Sequence, residues 1–525
     1  MSSTRCSAKS NCLSVEPLET EFGRKRTINQ STCNKDFSCV KGFCPSFVTV
    51  EGGQLKRGRR AAGGDDEQFP ALPETIPAAL DEPCGVLVTG IGGTGVITIG
   101  QILGMAAHLE GKGISVLDMS GLAQKYGAVM SHVRIASSAE QVHVARLGTG
   151  DARLVIGCDL VVSASADALD KMRAGRTRAL VNGTTSPTAD FVRNPNWQLP
   201  GSNLQQDIAS ACGGAGAEFL PAAQIATALM GDSIATNMFM LGYAWQKGWV
   251  PLGRAALERA IELNNVAVDF NKKSFLWGRR AAVDLERVRR IAIPAEVIPL
   301  DQHLSRNLGE LVERRVKFLA GYQNTAYAQR YVSLVERVRV TEEERTGGTR
   351  LAEAVARHYA KLLAYKDEYE VARLYATGEF RKKIEDMFEG DYRLRFHLAP
   401  PLLAKADPRT GEPRKIQFGS WMLPAFRLLA KLKFLRGTPL DVFGRTEERR
   451  MERTLIGEYE RTVDALLRDL TRDNHALAVE IASLPESIRG FGHIKAKSVA
   501  AARARRAELM GRFLAAPVRA AAQAA

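Results

Sequence analysis

No stretch of the 525-residue sequence approaches the roughly 20 consecutive apolar residues that a membrane-spanning helix needs. Its start, Met-Ser-Ser-Thr-Arg-Cys, lacks the apolar core of a secretory signal, and no internal repeat is visible. These absences predict a cytoplasmic protein that does not insert into a membrane. A chain of this length exceeds one ordinary hydrophobic core, so we expect three folded units.

Uninterrupted basic blocks are also missing, although the net charge is +14 and the isoelectric point is near 9.4. Arginines lie among glutamates, as in the segment 445–453 (RTEERRMER). Such interleaving is typical of solvated helix faces and argues against nucleic-acid binding, which needs clustered cations. The other interpretation of the charge is a docking surface for an acidic protein partner.

Paired metal-binding histidines are absent too, because none of the eight histidines lies at ligand spacing from another. We therefore predict structural hydrogen bonds for His132, His397 and His493, with substrate contact as the alternative. The charged group Lys366-Asp-Glu368 is expected to form an ion-pair cluster on the surface.

Cysteine, in contrast, is concentrated at one end of the chain. Five of the eight cysteines fall within the first 44 residues, at Cys6, Cys12, Cys33, Cys39 and Cys44. Thiols this dense in a cytoplasmic chain indicate a metal centre rather than disulfides. Zinc sites usually show two short cysteine pairs, whereas a Cys-Pro pair, present here at 44–45, closes the bacterial ferredoxin run. Iron–sulfur is therefore favoured over zinc, and the spacing does not decide which thiols bind. Buried packing is predicted for the isolated Cys84, Cys158 and Cys212.

Composition divides the chain into four parts. Residues 1–50 hold the clustered cysteines, and a linker rich in glycine and proline follows at 51–83. Residues 84–280 alternate strand and helix patterns, which predicts an α/β unit with a mainly parallel sheet. Residues 281–525 are dominated by amphipathic helical stretches with few strand signals.

Within the α/β unit, apolar runs predict the order of the elements. Gly85–Thr89 is predicted as a buried strand, Gly95–Leu109 as a helix and Ile114–Asp118 as a second buried strand. Val133–Ala136 and Leu160–Ser163 are further strand candidates.

A glycine-rich loop lies where the first strand gives way to the helix. Glycines there allow a tight turn and let backbone N–H groups and the helix amino end approach an anion. The predicted phosphate or nucleotide site consists of Gly90, Gly92, Gly93, Thr94 and Gly95. The alternative is a tight strand-to-helix connection without a ligand.

A second polar loop follows the second strand and contains Gln124 and Lys125. Loops after adjacent parallel strands converge at the carboxyl edge of a sheet, so we expect both side chains to line the same crevice. Asp118 ends the second strand, where a dinucleotide-binding fold would place its ribose-binding acid.

These segments carry a resemblance to a known family. The cysteine segment at 12–48 resembles the ferredoxin-like segment of fused indolepyruvate:ferredoxin oxidoreductases. Gly90–Gly95, with 121–125 (GLAQK), is similar to the gamma-type domain of the 2-oxoacid:ferredoxin oxidoreductase family. The helical remainder, with 397–401 (HLAPP) and 489–495 (RGFGHIK), resembles the C-terminal domain of the same fused enzymes.

The resemblance implies an α/β plus all-α fold, made of a short iron–sulfur module, a Rossmann-like gamma-type domain and a helical C-terminal domain. It implies that an aryl pyruvate is decarboxylated on thiamine diphosphate and Mg²⁺, that coenzyme A accepts the acyl group, and that electrons pass through a [4Fe-4S] cluster to ferredoxin. The five clustered cysteines would be the cluster ligands. The Gly90–Gly95 loop, Gln124 and Lys125 would line the acceptor crevice.

The sequence departs from the family in two respects. It lacks a Gly-Asp-Gly motif followed by an asparagine pair, so we expect thiamine on a partner subunit or on missing domains, within a homo- or hetero-oligomer. The family's first cysteine run would hold two more cysteines before Cys6, so we expect an incomplete cluster site in this chain alone. The chain would then be the electron-transfer and acceptor-binding portion of the enzyme.

Two other functions are compatible with parts of the sequence. A nicotinamide- or flavin-linked oxidoreductase would use the Gly90–Gly95 loop with Asp118 on the ribose. A zinc- and nucleic-acid-binding protein would use the cysteines and the basic charge, although the interleaved acids argue against it.

Overall fold

The computed structural model describes residues 12, 14–33, 35–41, 46–56, 69–121, 127–184, 194, 196–292, 304–400 and 414–522. Within these residues, the predicted combination of an α/β unit and a helical unit is confirmed. No helix among them is both long and apolar enough to cross a bilayer.

Four short strands precede the α/β unit: β1 (Val15–Leu18), β2 (Lys25–Ile28), β3 (Ser46–Glu51) and β4 (Gln54–Leu55). Strands β1 and β2 form an antiparallel hairpin in which Val15 lies opposite Ile28. The tip of this hairpin packs on the helical unit through Phe22, whose ring centroid lies 4.7 Å from that of Phe318.

The α/β unit alternates strands and helices as its apolar runs predict. Its elements are β5 (Cys84–Ile91), α1 (Val96–Leu109), β6 (Gly113–Ser120), β7 (Ala128–Ala136), β8 (Ala152–Gly157), α2 (Leu160–Ser163), α3 (Ala166–Leu169), β9 (Arg178–Asn182), α4 (Gly201–Cys212), β10 (Ala217–Leu220), α5 (Ala222–Met230), α6 (Ala235–Gln246), α7 (Arg254–Asn264), α8 (Val268–Val283) and α9 (Leu285–Ala292).

The six strands of this unit form one sheet in the order β10-β9-β8-β5-β7-β6. Strands β10, β9, β8 and β5 are parallel, and β7 pairs antiparallel with both β5 and β6. Because β7 lies between them, the first two strands of the unit run in the same direction but are not neighbours. Strand β6 is an edge strand with exposed residues at 116 and 118–120, so the prediction that Ile114–Asp118 is buried was wrong.

Alternate residues of the central strands enter two different cores. Val86, Val88 and Ile156 point into the core that contains α1 and α6. Leu87 and Val155, which alternate with them, point into the opposite core with α4. Burial on both sides explains why these strands are continuous apolar runs rather than alternating ones.

Helix α6 is buried along all twelve of its residues and packs closely on α8. A Cβ atom on Gly242 would lie 2.0 Å from the carbonyl oxygen of Phe275, and one on Gly278 would lie 1.9 Å from that of Phe239. Glycine at both positions therefore allows the two backbones to touch. This contact fixes α6 behind the glycine-rich loop.

Leu160–Ser163 is the short helix α2, so its assignment as a strand was wrong. Asp159 caps this helix, because its Oδ1 accepts a hydrogen bond from the Val162 N–H at 2.9 Å. An apolar run of four residues fits a buried helical turn as well as a strand. Here the capping hydrogen bond of Asp159 favours the helix.

The helical unit consists of α10 (Leu308–Tyr322), α11 (Thr325–Thr346), α12 (Arg350–Leu363), α13 (Glu368–Ala376), α14 (Gly378–Met387), β11 (Phe388–Glu389), β12 (Arg393–Leu398), β13 (Ile416–Phe418), α15 (Met422–Lys431), α16 (Glu447–Arg468), α17 (His475–Ser483) and α18 (Gly492–Ala522). Its main core contains Leu319, Tyr331, Val355, Val463 and Phe513.

Strands from the amino-terminal part complete a small sheet in the helical unit. Strand β3 pairs with β12, which pairs with β13, and β4 pairs with β11, all antiparallel. The amino-terminal segment is thus joined to the helical unit by main-chain hydrogen bonds. The boundaries at 50, 83 and 280 stay predictions.

The group at 366–368 is not a surface cluster, because Asp367 is 3% exposed. Its carboxylate accepts two hydrogen bonds from the Arg436 guanidinium, at 2.5 and 2.9 Å, and caps α13 through the Glu370 N–H. Arg436 also stacks on the ring of Tyr322, 3.8 Å from its centroid. The prediction missed this buried pair because Arg436 is 69 residues away in the sequence.

Candidate functional site

The loop between β5 and α1 needs glycine at several positions. Gly93 and Gly95 have φ angles of +98° and +79°, which favour glycine. A Cβ atom on Gly95 would lie 2.1 Å from Nδ2 of Asn237, and one on Gly90 would lie 2.5 Å from Oγ1 of Thr94. The loop is therefore tightly packed from the side of α6 as well as from within.

Hydrogen bonds close this loop on itself. The N–H and Oγ1–H of Thr94 both donate to the Ile91 carbonyl, at 3.1 and 2.7 Å, and the Gly92 N–H donates to the Gly127 carbonyl at 2.9 Å. Helix α1 begins at Val96, and the first N–H groups of a helix have no acceptor within the helix. The Gly92 and Thr94 N–H groups are therefore bound to carbonyl oxygens, and the positive end of the α1 dipole is the feature of this loop that can hold an anion.

Polar side chains follow the neighbouring strands at the same edge of the sheet. Asn182, at the end of β9, donates from Nδ2 to the Cys158 carbonyl at 3.2 Å and accepts from the Ala223 N–H at 3.1 Å. Asp159 follows β8 and is 5% exposed, and burial raises its pKa. Sequence reasoning missed Asn182, Asp159 and Asn237. The pattern that could have identified them is a single polar residue at the end of a buried strand or inside an apolar helix.

Gln124 and Lys125 lie outside the described residues, so their place in the crevice stays a prediction. The strand before them is separated from β5 by β7, so the expectation of adjacent strands was wrong. Asp118 is exposed on that edge strand and lies opposite Ser131 of β7. Two strand spacings, about 10 Å, separate its strand from β5, whereas a dinucleotide fold places the ribose acid on the neighbouring strand. The structure therefore argues against Asp118 as a ribose ligand.

The α/β unit matches a known family over almost its whole length. Residues 85–281 match the model of the pyruvate ferredoxin/flavodoxin oxidoreductase family. The indolepyruvate oxidoreductase subunit IorB of Methanothermobacter thermautotrophicus is 26% identical over 201 residues, which cover 38% of this chain and 97% of the relative. IorB of Thermococcus kodakarensis is 24% identical over 209 residues, 38% of this chain and 96% of the relative. Residues 85–281 are therefore similar to the 2-oxoacid:ferredoxin oxidoreductase family.

Other matches concern the helical unit and solved structures. Residues 308–508 match a family of unknown function, DUF6537. The pyruvate oxidoreductase subunit PORC of Thermotoga maritima is 21% identical, with a TM-score of 0.28, and the match covers 38% of this chain and 97% of that one. The 2-oxoglutarate:ferredoxin oxidoreductase of Magnetococcus marinus is 16% identical, with a TM-score of 0.30, over 39% of this chain and 31% of that one.

Three of the five clustered cysteines lie among the described residues, and all three are free thiols. Burial, first, and the nearby Cys12 and Cys33 raise the pKa of Cys39. Cys6 and Cys44 lie outside the described part. Within it, no three His, Cys, Asp or Glu side chains are arranged to hold a metal ion. The described thiols alone therefore do not form a complete metal site.

The three isolated cysteines are buried as predicted. Cys84, Cys158 and Cys212 are each at most 3% exposed. Burial raises the pKa of Cys84 and of Cys212 to about 11. These thiols therefore stay protonated and unreactive at neutral pH.

Two of the three histidines have structural hydrogen bonds. His132 is 1% exposed in β7 of the α/β unit, its Nδ1 accepts from the Leu147 N–H at 3.3 Å, and burial lowers its pKa. His397 is 6% exposed on β12, and its Nε2 lies 3.0 Å from Oγ1 of Thr49. His493 is exposed in the first turn of α18. The predicted structural role is confirmed for His132 and His397.

Proposed function

We propose that this chain is the electron-transfer and acceptor-binding portion of an oxidoreductase that converts indolepyruvate, or another aryl pyruvate, to its acyl-CoA. The observation that carries the proposal is the match of the α/β unit to IorB subunits over nearly their whole length. Those relatives are named as subunits, which supports assembly of this chain with a partner. The overall reaction consumes the 2-oxoacid, coenzyme A and two oxidised ferredoxins, and releases acyl-CoA, CO₂, a proton and two reduced ferredoxins.

Thiamine diphosphate with Mg²⁺, on a partner subunit or domain, would supply the decarboxylation chemistry. This chain's contribution begins at the glycine-rich loop. The amino end of α1, which follows this loop, would bind a phosphate group of coenzyme A. Lys125 would add a positive charge next to that phosphate. Asn237 and Asn182 would hold the loop and the neighbouring strand ends in position.

The clustered cysteines would hold a [4Fe-4S] cluster that passes single electrons to ferredoxin. Such a cluster needs four thiolates. The five clustered cysteines, Cys6, Cys12, Cys33, Cys39 and Cys44, are the candidates for these ligands.

The test is an anaerobic assay of the complex purified by way of this chain from its own host. We expect reduction of a viologen dye that requires both indolepyruvate and coenzyme A, with one acyl-CoA formed for every two electrons. NAD⁺ should not replace the dye. Dye reduction that ignores coenzyme A, or a complex that transfers hydride to NAD⁺, would overturn the proposal.

A further inference from the structure

A cleft of about 400 Å³ opens between α16, α17 and α18 of the helical unit. This volume includes the open mouth of the cleft, so its floor accepts a flat or slim group rather than a bulky one. The floor consists of apolar side chains from the three helices and the segment after α17: Leu455, Ile481, Leu484, Ile488, Val499 and Ala502. A concave site of this volume, with a mostly apolar lining and a few polar groups, is typical of small-molecule binding.

One wall of the cleft is aromatic and held in place. Tyr459 lines the cleft, and its hydroxyl donates to the Ala482 carbonyl at 2.8 Å. Its ring is stacked on that of Tyr359 with 6.0 Å between the centroids, and Tyr359 is stacked in turn on Tyr331 at 6.0 Å. The lining of the floor therefore offers a ligand apolar contact, because the Tyr459 hydroxyl is already bound by the protein.

The mouth of the cleft carries two guanidinium groups and one carboxylate. Arg503 and Arg506 of α18 line the cleft with side chains that are 43% and 32% exposed. Arg503 donates two hydrogen bonds to Glu458, at 2.7 and 3.1 Å, which occupy both carboxylate oxygens. Arg506 Nη1 reaches Glu458 Oε2 and Thr462 Oγ1 only at 3.5 Å, and it has no closer acceptor among the residues that the structure describes. The Arg506 guanidinium is therefore weakly used by the protein and open to solvent.

Other acids on the same helices do not compensate the second positive charge of the mouth. Glu480 of α17 and Glu508 of α18 are both bound by Arg505, at 2.9 and 2.7 Å. The mouth thus holds two arginines against the single carboxylate of Glu458, next to an apolar floor. One negative charge on a ligand would match this excess.

We propose that this cleft binds a small monocarboxylate with a flat or slim apolar body, either aryl or alkyl. The body would lie on the floor beside Tyr459, and the carboxylate would accept charge-assisted hydrogen bonds from Arg506. A monocarboxylate suits the mouth better than a phosphate dianion, because Glu458 would repel a second negative charge. The site would give a ligand-binding role to the helical unit, which matches a family of unknown function. The proposal is independent of the reaction assigned to the chain.

The test is isothermal titration calorimetry of the full chain with phenylacetate as the aryl probe and octanoate as the alkyl probe. Phenethyl alcohol and octanol are the neutral comparisons, because they keep the apolar body without the charge. Arg506→Gln removes the charge at the mouth, and Ala502→Leu fills part of the floor. Arg505→Gln is the matched control, because Arg505 is exposed on the same helix and pairs with Glu480 and Glu508. Circular dichroism spectra check that each variant folds like the wild type.

We expect phenylacetate or octanoate to bind the wild type and the control equally, and Arg506→Gln at least about tenfold more weakly, as for a lost hydrogen bond to a charged group. The alcohol with the same body should bind the wild type more weakly than the acid does, and it should lose no affinity on Arg506→Gln. Ala502→Leu should weaken the binding of the acid and of the alcohol, because its longer side chain occupies the floor.

The absence of saturable binding of both acids at millimolar concentration would overturn the proposal, and so would equal affinity of Arg506→Gln and Arg505→Gln for the acid. Binding that a folded Ala502→Leu variant leaves unchanged would place the ligand elsewhere and would also overturn it. If Ala502→Leu does not fold, the comparison of acid and alcohol on Arg506→Gln decides the matter without it.

Discussion

Replacement of Arg436 by methionine should destabilise the helical unit far more than the loss of an ordinary surface charge. Arg436 and Asp367 have side chains that are 5% and 3% exposed, and two hydrogen bonds of 2.5 and 2.9 Å join them. Arg436 also donates to the Tyr322 carbonyl at 2.9 Å and to Gln323 Oε1 at 2.6 Å. Methionine keeps an unbranched apolar stem but leaves the Asp367 carboxylate buried without a counter-charge. Breaking such a pair costs about 3–5 kcal/mol, a large share of the roughly 5–15 kcal/mol that stabilises a typical domain.

Urea denaturation followed by circular dichroism at 222 nm measures this loss. Arg337→Met is the matched control, because Arg337 and its partner Asp464 are 56% and 50% exposed, and its loss should cost under about 1 kcal/mol. The double variant Arg436→Met/Asp367→Asn should recover part of the stability, since asparagine removes the buried charge and still caps α13. The reasoning is refuted if Arg436→Met unfolds within about 1 kcal/mol of the wild type, or if the double variant is less stable than Arg436→Met.

Three further outcomes are expected. Gly93→Ala should lose about 1–2 kcal/mol of stability, because alanine is strained at the positive φ of this position. Gly95→Ala should lose more, because its new Cβ would also lie 2.1 Å from Nδ2 of Asn237. Equal losses of the two variants in urea denaturation would contradict this. Cys39→Ser should lower the amount of iron bound after anaerobic reconstitution. Cys212→Ser should retain the iron, because Cys212 is buried in the core of the α/β unit. Equal iron content in the two variants would exclude Cys39 as a cluster ligand. The pKa of Lys361 is about 7 in the folded protein and higher in the unfolded chain. Above pH 7 the unfolded chain therefore binds more protons at this residue than the folded protein does. The free energy of unfolding should rise from pH 7 to 9 for this reason. Lys361→Met should flatten that rise, and an unchanged pH profile in denaturation would count against the lowered pKa.

Local patterns predicted the elements whose causes are local. The apolar run at Gly85–Thr89, the glycine-rich loop and helix α1 follow from residues that are neighbours in the sequence, and the structure confirms them. The three errors in the α/β unit have different origins. The strand predicted at Leu160–Ser163 is a helix because Asp159 caps it. The other two errors come from strand order, because β7 lies between β5 and β6 and leaves β6 as an exposed edge strand, and no local pattern specifies that order.

Long-range pairing accounts for what the sequence could not predict in the helical unit. The sequence around Asp367 is typical of a surface acid, and its burial depends on the pairing with Arg436, 69 residues later. Strand β3 is short and finds its partner β12 more than 300 residues away. In the candidate site, Asn237 escaped prediction because its role depends on the contact of α6 with Gly95.

The most direct measurement is electron paramagnetic resonance of the native complex, frozen under anaerobic conditions after addition of indolepyruvate and coenzyme A. The account predicts a reduced iron–sulfur signal that appears only when the 2-oxoacid is present and that weakens when Cys39 is replaced by serine. A colourless complex that contains zinc and no iron, or a signal that appears with NADH but not with the 2-oxoacid, would contradict it.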